Sequence, residues 1–257
     1  ETIRDFVLTA LYTGPRSANV AAMRWDALTG PDELPLFRNA EQSNVFRLPS
    51  ASEAPAGLWT IPLTKNGEAH QAPLVAEVRE ILARRFESKE SAEWVFPGSG
   101  KTGHLREPKT GWLRITSRAE CYALLDKLPG LHADMLCHVP SMDTDIVERP
   151  AQTLKTMRQA VQRLGLEQEA SSVKFTDLHI HDLRRTLASW MAMTGANDVM
   201  RARVLGHKVP GVGGVYAHSE LMPVQQAIEK AIADFKSYHV APSITDDAMP
   251  TQTAMSA

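Results

Sequence analysis

The stretch His179-Ile180-His181-Asp182-Leu183-Arg184-Arg185-Thr186-Leu187-Ala188-Ser189-Trp190-Met191 decides how the rest of the chain is read. Leu183, Leu187, Trp190 and Met191 fall at the spacing of an apolar helical stripe. His181 and Arg184, three residues apart, share a different face. The spacing predicts a helix that buries its apolar side and presents an imidazole and a guanidinium in its first turn. Unpaired backbone N–H groups and the positive dipole end favour an anion at that same place. Further on, Asn197-Asp198 caps a second helical run, and Gly206 suits the left-handed residue that stops it. His207 emerges just past that end, and Tyr216 follows nine residues later. The expectation is a phosphate site with a tyrosine nearby.

Composition bounds the alternatives. The chain has 257 residues, 43% of them hydrophobic, enough for a substantial core in one large domain or two small ones. No apolar run reaches the roughly 18 residues of a membrane span, and no secretory signal pattern opens the chain. It begins at Glu1 with a helix already under way, and is read as a fragment whose N-terminal part is absent. Two cysteines, Cys121 and Cys137, make no disulfide framework, which suits a reducing cytoplasm. Together with His132 and His138 they match no paired-ligand spacing, so no metal is expected. Neither a Gly-rich phosphate loop nor a dinucleotide fingerprint is present, so no cofactor is expected.

A net charge of −2 argues weakly against a nucleic-acid binder. Its distribution argues the other way. Residues 101–118 hold five basic residues against one acid, and residues 174–208 hold six against three. After His218 five acids face two lysines. Local patches, not the total, set the field that a DNA backbone meets.

Along the chain, residues 2–12 have a helical period broken by Thr13-Gly14-Pro15. A second helix from about Arg16 to Met23 places Arg16 at a helix start, where acids are normally preferred. Such a cation has an anionic partner, either a neighbour such as Asp5 or Asp26 or a ligand. Residues 27–57 are rich in Pro, Gly, Ser and Asn, with a short strand predicted at 45–48. Leu58–Leu63 and His70–Leu74 flank Thr64-Lys65-Asn66-Gly67-Glu68, a hairpin signal with Lys65 near its tip. Helices are predicted at 75–87, 109–119, 151–166 and 222–235. Trp94–Pro97 reads as a buried strand or loop, and 241–257 as a disordered tail. The stripe Val224, Ile228, Ile232 and Phe235 either closes the chain's own core or docks on another protomer. The expected fold is mainly α with a small antiparallel β-sheet (α+β) from about residues 45–75.

In this order the residues resemble the tyrosine recombinases (phage-type integrases), over their catalytic domain and roughly from Ile3 to Phe235. Thr13-Gly14-Pro15-Arg16-Ser17-Ala18-Asn19-Val20 with Met23-Arg24-Trp25 is similar to the family's first box. Residues 61–74 are similar to its hairpin, and His181-Asp182-Leu183-Arg184-Arg185-Thr186 to its second box. Leu205-Gly206-His207-Lys208 and Tyr216-Ala217-His218 are similar to its last stretch. A bare His-x-x-Arg carries almost no information; the ordered ensemble carries the resemblance. Departures are Asn19, where many members have an acid, and Gly211, Gly213 and Gly214 ahead of Tyr216.

The resemblance implies a catalytic domain over residues 1–240, with insertions at about 27–57 and 120–150 and the N-terminal DNA-clamping domain absent. It implies Arg16, Lys65, His181, Arg184, His207 and Tyr216 as catalytic residues. Arg185, Lys208, Lys109 and Arg114 are expected to contact DNA. The implied activity is site-specific cleavage and rejoining of double-stranded DNA through a covalent 3′-phosphotyrosine, without metal or cofactor. Implied partners are DNA and further copies of the chain, as a tetramer in the synaptic complex, in the cytoplasm and with no membrane. A type IB-like topoisomerase and a catalytically silent DNA-binding protein of the same fold are the alternatives.

Overall fold

The structure is a computed structural model and describes residues 1–30, 36, 57–62, 67, 69–138, 141–207 and 218–239. Helix α1 (Thr2–Thr13) ends on Gly14, whose φ of 81° is the left-handed conformation that stops a helix at no steric cost to glycine. Helix α2 (Ser17–Ala21) follows at once, with Arg16 as its extended N-cap residue. A 3-10 turn at Trp25–Ala27 leads into strand β1 (Leu28–Thr29). Strands β2 (Leu58–Ile61) and β3 (His70–Pro73) pair antiparallel, from Leu58 opposite Pro73 to Ile61 opposite His70. Gly67, at φ 79°, lies in their connection, as the Asn-Gly signal predicts.

The third strand differs from expectation. It is β1, with Leu28 opposite Trp59, giving the order β1-β2-β3. Two residues are too few for a period-2 pattern to register. The strand expected at 45–48 lies outside the described residues.

Helix α3 (Ala76–Glu87) packs against α1, and α4 (Lys109–Lys127) runs eight residues beyond the expected end at 119. Then come α5 (Pro129–His138), α6 (Met142–Glu148), α7 (Pro150–Leu164) and the single turn α8 (Glu167–Ala170). Helices α9 (Ile180–Met193), α10 (Asp198–Val204) and α11 (His218–His239) complete the described chain. Asn197 caps α10 by accepting from the Met200 amide at 2.9 Å, and Gly206 sits at φ 58° beyond it, as expected.

Two apolar cores result. The first joins α1, the sheet, α3, α9 and α11 around Phe6, Trp59, Leu82, Phe96, Leu187 and Ile228. The second joins α4–α7 around Cys121, Leu124, Leu131, Met135, Ile146 and Met157. Residues 120–150, expected as an insertion, supply much of this second core, with Cys121, Leu124, Leu131, Met135 and Ile146. Cys121 is buried there, and burial pushes its thiol up to about 12. Helix α11 closes the chain's own core, since Val224, Ile228 and Ile232 are buried in it and Phe235 stacks on Trp190 at 3.7 Å.

On α9 the buried positions are Ile180, Arg184, Leu187 and Met191. That corrects the expected faces. Leu183 and Trp190 are only partly buried, while Arg184, 6% exposed, takes a place inside the apolar stripe. A guanidinium belongs there only if its N–H groups find acceptors.

Candidate active site

Those acceptors come from distant segments. Arg184 Nη1 donates to the Gly14 carbonyl at 2.7 Å, and Nη2 donates to the Leu205 carbonyl. Nη2 also lies 3.1 Å from His207 Nε2. Arginine has no acceptor, so Nη2 donates and His207 Nε2 accepts, which leaves the His207 proton on Nδ1. One buried side chain thus ties the α1–α2 turn to the end of α10. Burial, reinforced by the Arg16 charge, lowers the Arg184 pKa to about 10.

Arg16 reaches the same place from the start of α2. The acids expected as possible neighbours are engaged elsewhere. Asp5 pairs with Arg4, Arg84 and Arg85, and Asp26 with Arg24. Among the described residues no carboxylate pairs with Arg16.

Arg16, His181, Arg184, Arg185 and His207 line one cleft with Ala188, Ser189 and Leu205. His181, Arg185 and Ala188 follow the i, i+4, i+7 spacing of one helical face, with Arg184 on its inner edge. Among the described residues none of those lining the cleft is acidic. Asp182, beside the cleft, is occupied by the His179 amide at 2.8 Å and by Arg185 at 3.2 Å. Those two partners hold its carboxyl below the usual range, the amide first. The exposed Arg185 is therefore partly neutralised, whereas Arg16 and Arg184 are not. The described lining of the cleft is cationic.

His70 is the residue that sequence reasoning missed. Its ring lies 3.3 Å from where a Cβ on Gly206 would stand, so the base of the β2–β3 hairpin abuts the turn that delivers His207. Burial, then the charge of Arg184, lowers its pKa to about 4, against the opposing effect of a hydrogen bond to the Val204 backbone. Its Nε2 is buried and has no partner among the described residues. A signal was present. His70, Ala72 and Leu74 alternate along one face of the strand, and the other two are fully buried. The His207 pKa is also lowered, by burial, Arg184 and Arg16 in that order, which favours the neutral ring.

Lys65, Lys208 and Tyr216 lie outside the described residues. The strand ends that flank Lys65, Ile61 and His70, stand beside the cleft. Lys109 and Arg114 lie on the first turns of α4 and do not line the cleft; both are exposed. No protein-family model matches the chain, and neither does any curated protein or solved structure.

Proposed function

We propose that the chain is the catalytic part of a tyrosine-type DNA strand transferase, a site-specific recombinase or integrase with the catalytic-domain fold of that family. The observation that carries the reading is the convergence of Arg16, His181, Arg184 and His207 on one cleft whose lining holds no carboxylate among the described residues. Four cationic or hydrogen-bonding groups without a counter-charge are what a phosphodiester needs when charge builds on its non-bridging oxygens.

In the reaction, Arg16 and Arg184 clamp those oxygens with forked, charge-assisted donors. His207 Nε2 accepts from Arg184; when the phosphate takes the Nη2 donor, Nε2 takes up a proton from solvent and donates it in a hydrogen bond to a non-bridging oxygen. Tyr216 attacks phosphorus, and its phenolic proton passes to His181, the exposed imidazole at the cleft mouth. The bond from phosphorus to the 5′ oxygen breaks as the bond to the tyrosine oxygen forms, and Lys65 protonates the departing oxygen. One phosphodiester replaces another, so the covalent 3′-phosphotyrosine keeps the bond energy and a second strand's 5′ hydroxyl reverses the step. Double-stranded DNA is the substrate. Joining two duplexes needs several copies of the chain, four in a complete synapse, since each supplies one tyrosine. The integration or excision of a mobile element is the biological setting.

The test incubates the protein with DNA flanking its own gene, then denatures and digests the mixture. Mass spectrometry then looks for a nucleotide on Tyr216. The adduct is expected in the wild type and absent in Tyr216→Phe, which still binds DNA. DNA binding without an adduct would mark a silent DNA-binding protein, and relaxation of plasmid lacking any specific site would mark a topoisomerase.

A further inference from the structure

We infer that Glu120, in the second core, is a positioning residue for the cleft: it anchors the segment that delivers α9 and so sets where His181 and Arg184 stand. The inference rests on reading the cleft as a strand-transfer site.

Glu120 is 2% exposed, and both of its oxygens are saturated. Oε1 accepts from Arg158, through Nε at 2.9 Å and through Nη2. Oε2 accepts from the Phe175 amide at 2.9 Å, the Thr176 amide at 3.0 Å and the Thr176 hydroxyl at 3.1 Å. Two successive backbone amides aimed at one carboxylate oxygen form a small anion nest, here filled by a side chain of the protein itself. A second anchor comes from the same helix face. Trp112, eight residues earlier on α4, donates Nε1 to the Leu178 carbonyl at 2.7 Å. Thr116 is buried between them. Positions 112, 116 and 120 form one stripe of α4, so that helix grips the segment 175–178 at both ends.

The grip matters because, besides the bond from Arg158 Nη2 to the Thr176 hydroxyl at 2.6 Å, the segment is largely exposed. Lys174, Asp177, Leu178 and His179 are exposed, and Ile180 is the first buried residue after them. His179 is already the N-cap of α9, with His181 in the first turn and Arg184 one turn further on. Cores one and two thus meet at a short polar segment, and its register reaches the catalytic groups directly. A shift of about 1 Å in such groups is enough to cost roughly a hundredfold in rate.

Glu120→Gln keeps the shape and removes the charge that the two amides and Arg158 share. It is expected to slow single-turnover formation of the Tyr216–DNA adduct by about tenfold to a hundredfold, with DNA affinity within about twofold of wild type. Hydrogen exchange at the Phe175 and Thr176 amides in the free protein is expected to quicken at least about tenfold. Arg158→Met removes the ion pair and the bond that Arg158 Nη2 donates to the Thr176 hydroxyl at 2.6 Å, but leaves the three bonds from the segment to Glu120, and is expected to keep adduct formation within about threefold. If Glu120→Gln does not fold, Glu120→Asp, which retracts the carboxylate but keeps its charge, is measured in the same way, with the same slowing expected. Unchanged adduct kinetics in the Glu120 variant, or an equal loss in Arg158→Met, overturns the positioning role. A wild-type protein that forms no adduct on any DNA overturns the reading of the cleft, and this role with it.

Discussion

Arg184 donates to the Gly14 carbonyl oxygen at 2.7 Å, across 170 residues of chain, and the fold and the cleft both depend on that bond. Gly14 can hold its carbonyl there only because it has no side chain. Its φ is 81°, and a Cβ would stand 2.6 Å from Val204 Cγ1. Gly14→Ala therefore combines left-handed strain with overpacking, and is expected to cost about 3 kcal/mol of stability. Urea denaturation measures it. A loss below about 0.5 kcal/mol, the range of ordinary surface changes, would mean that the turn relaxes freely and that Arg184 does not depend on it.

Arg184→Lys keeps the charge and loses the fork. A single ammonium on a flexible stem cannot serve Gly14, Leu205 and a phosphate together. Adduct formation is expected to fall by about a hundredfold to a thousandfold, as for loss of one preorganised donor to a developing oxyanion. DNA affinity, dominated by many backbone phosphates, is expected to change much less. Rapid-quench kinetics on a nicked substrate separate the two. A lysine variant within about tenfold of wild type would place Arg184 in the scaffold rather than in the chemistry.

How much of this was legible in the sequence differs residue by residue. The period of α9, the caps at Asn197 and Gly206 and the hairpin at Gly67 are local signals, and local physics decided them. Arg184's burial was not legible, because the carbonyls that make it tolerable belong to Gly14 and Leu205, brought near only by the fold. The second core was hidden for a related reason. Helices α5 and α6 are short, ten and seven residues, so neither shows a clear period, and Leu131 and Met135 find their partners on α4 and α7. Glu120 looked like one charge among many; its role appears only when Phe175 and Thr176 are seen to point their amides at it.

His70 makes stability depend on pH. Its folded pKa, about 4, lies below the ordinary 6.5, so the folded state binds fewer protons than the unfolded chain between those values. The stabilisation is therefore complete above pH 6.5 and is lost as pH falls toward 4. A shift of that size corresponds to at most about 3 kcal/mol. Denaturation midpoints across that window should fall more steeply for wild type than for His70→Gln, which cannot take up the proton. Parallel slopes in the two proteins would show that other groups drive the acid sensitivity.

Lys109 and Arg114, away from the cleft on the exposed start of α4, are expected to hold DNA by charge rather than take part in the reaction. The Lys109 side chain is 83% exposed, with Glu107 no closer than 3.9 Å, so its charge is available to a duplex. Each phosphate contact releases condensed counterions, so each alanine substitution should reduce the slope of log affinity against log salt by about 0.9. The loss should be uniform across DNA sequences, because phosphate contacts carry no base information. Adduct formation at saturating DNA should stay near wild type, in contrast to Arg184→Lys. Fluorescence anisotropy between low and moderate salt reads the slope directly. If both variants keep the wild-type slope, the DNA path does not cross the start of α4, and the exposed cations that remain at the cleft, Arg185 first, must carry the phosphate contacts.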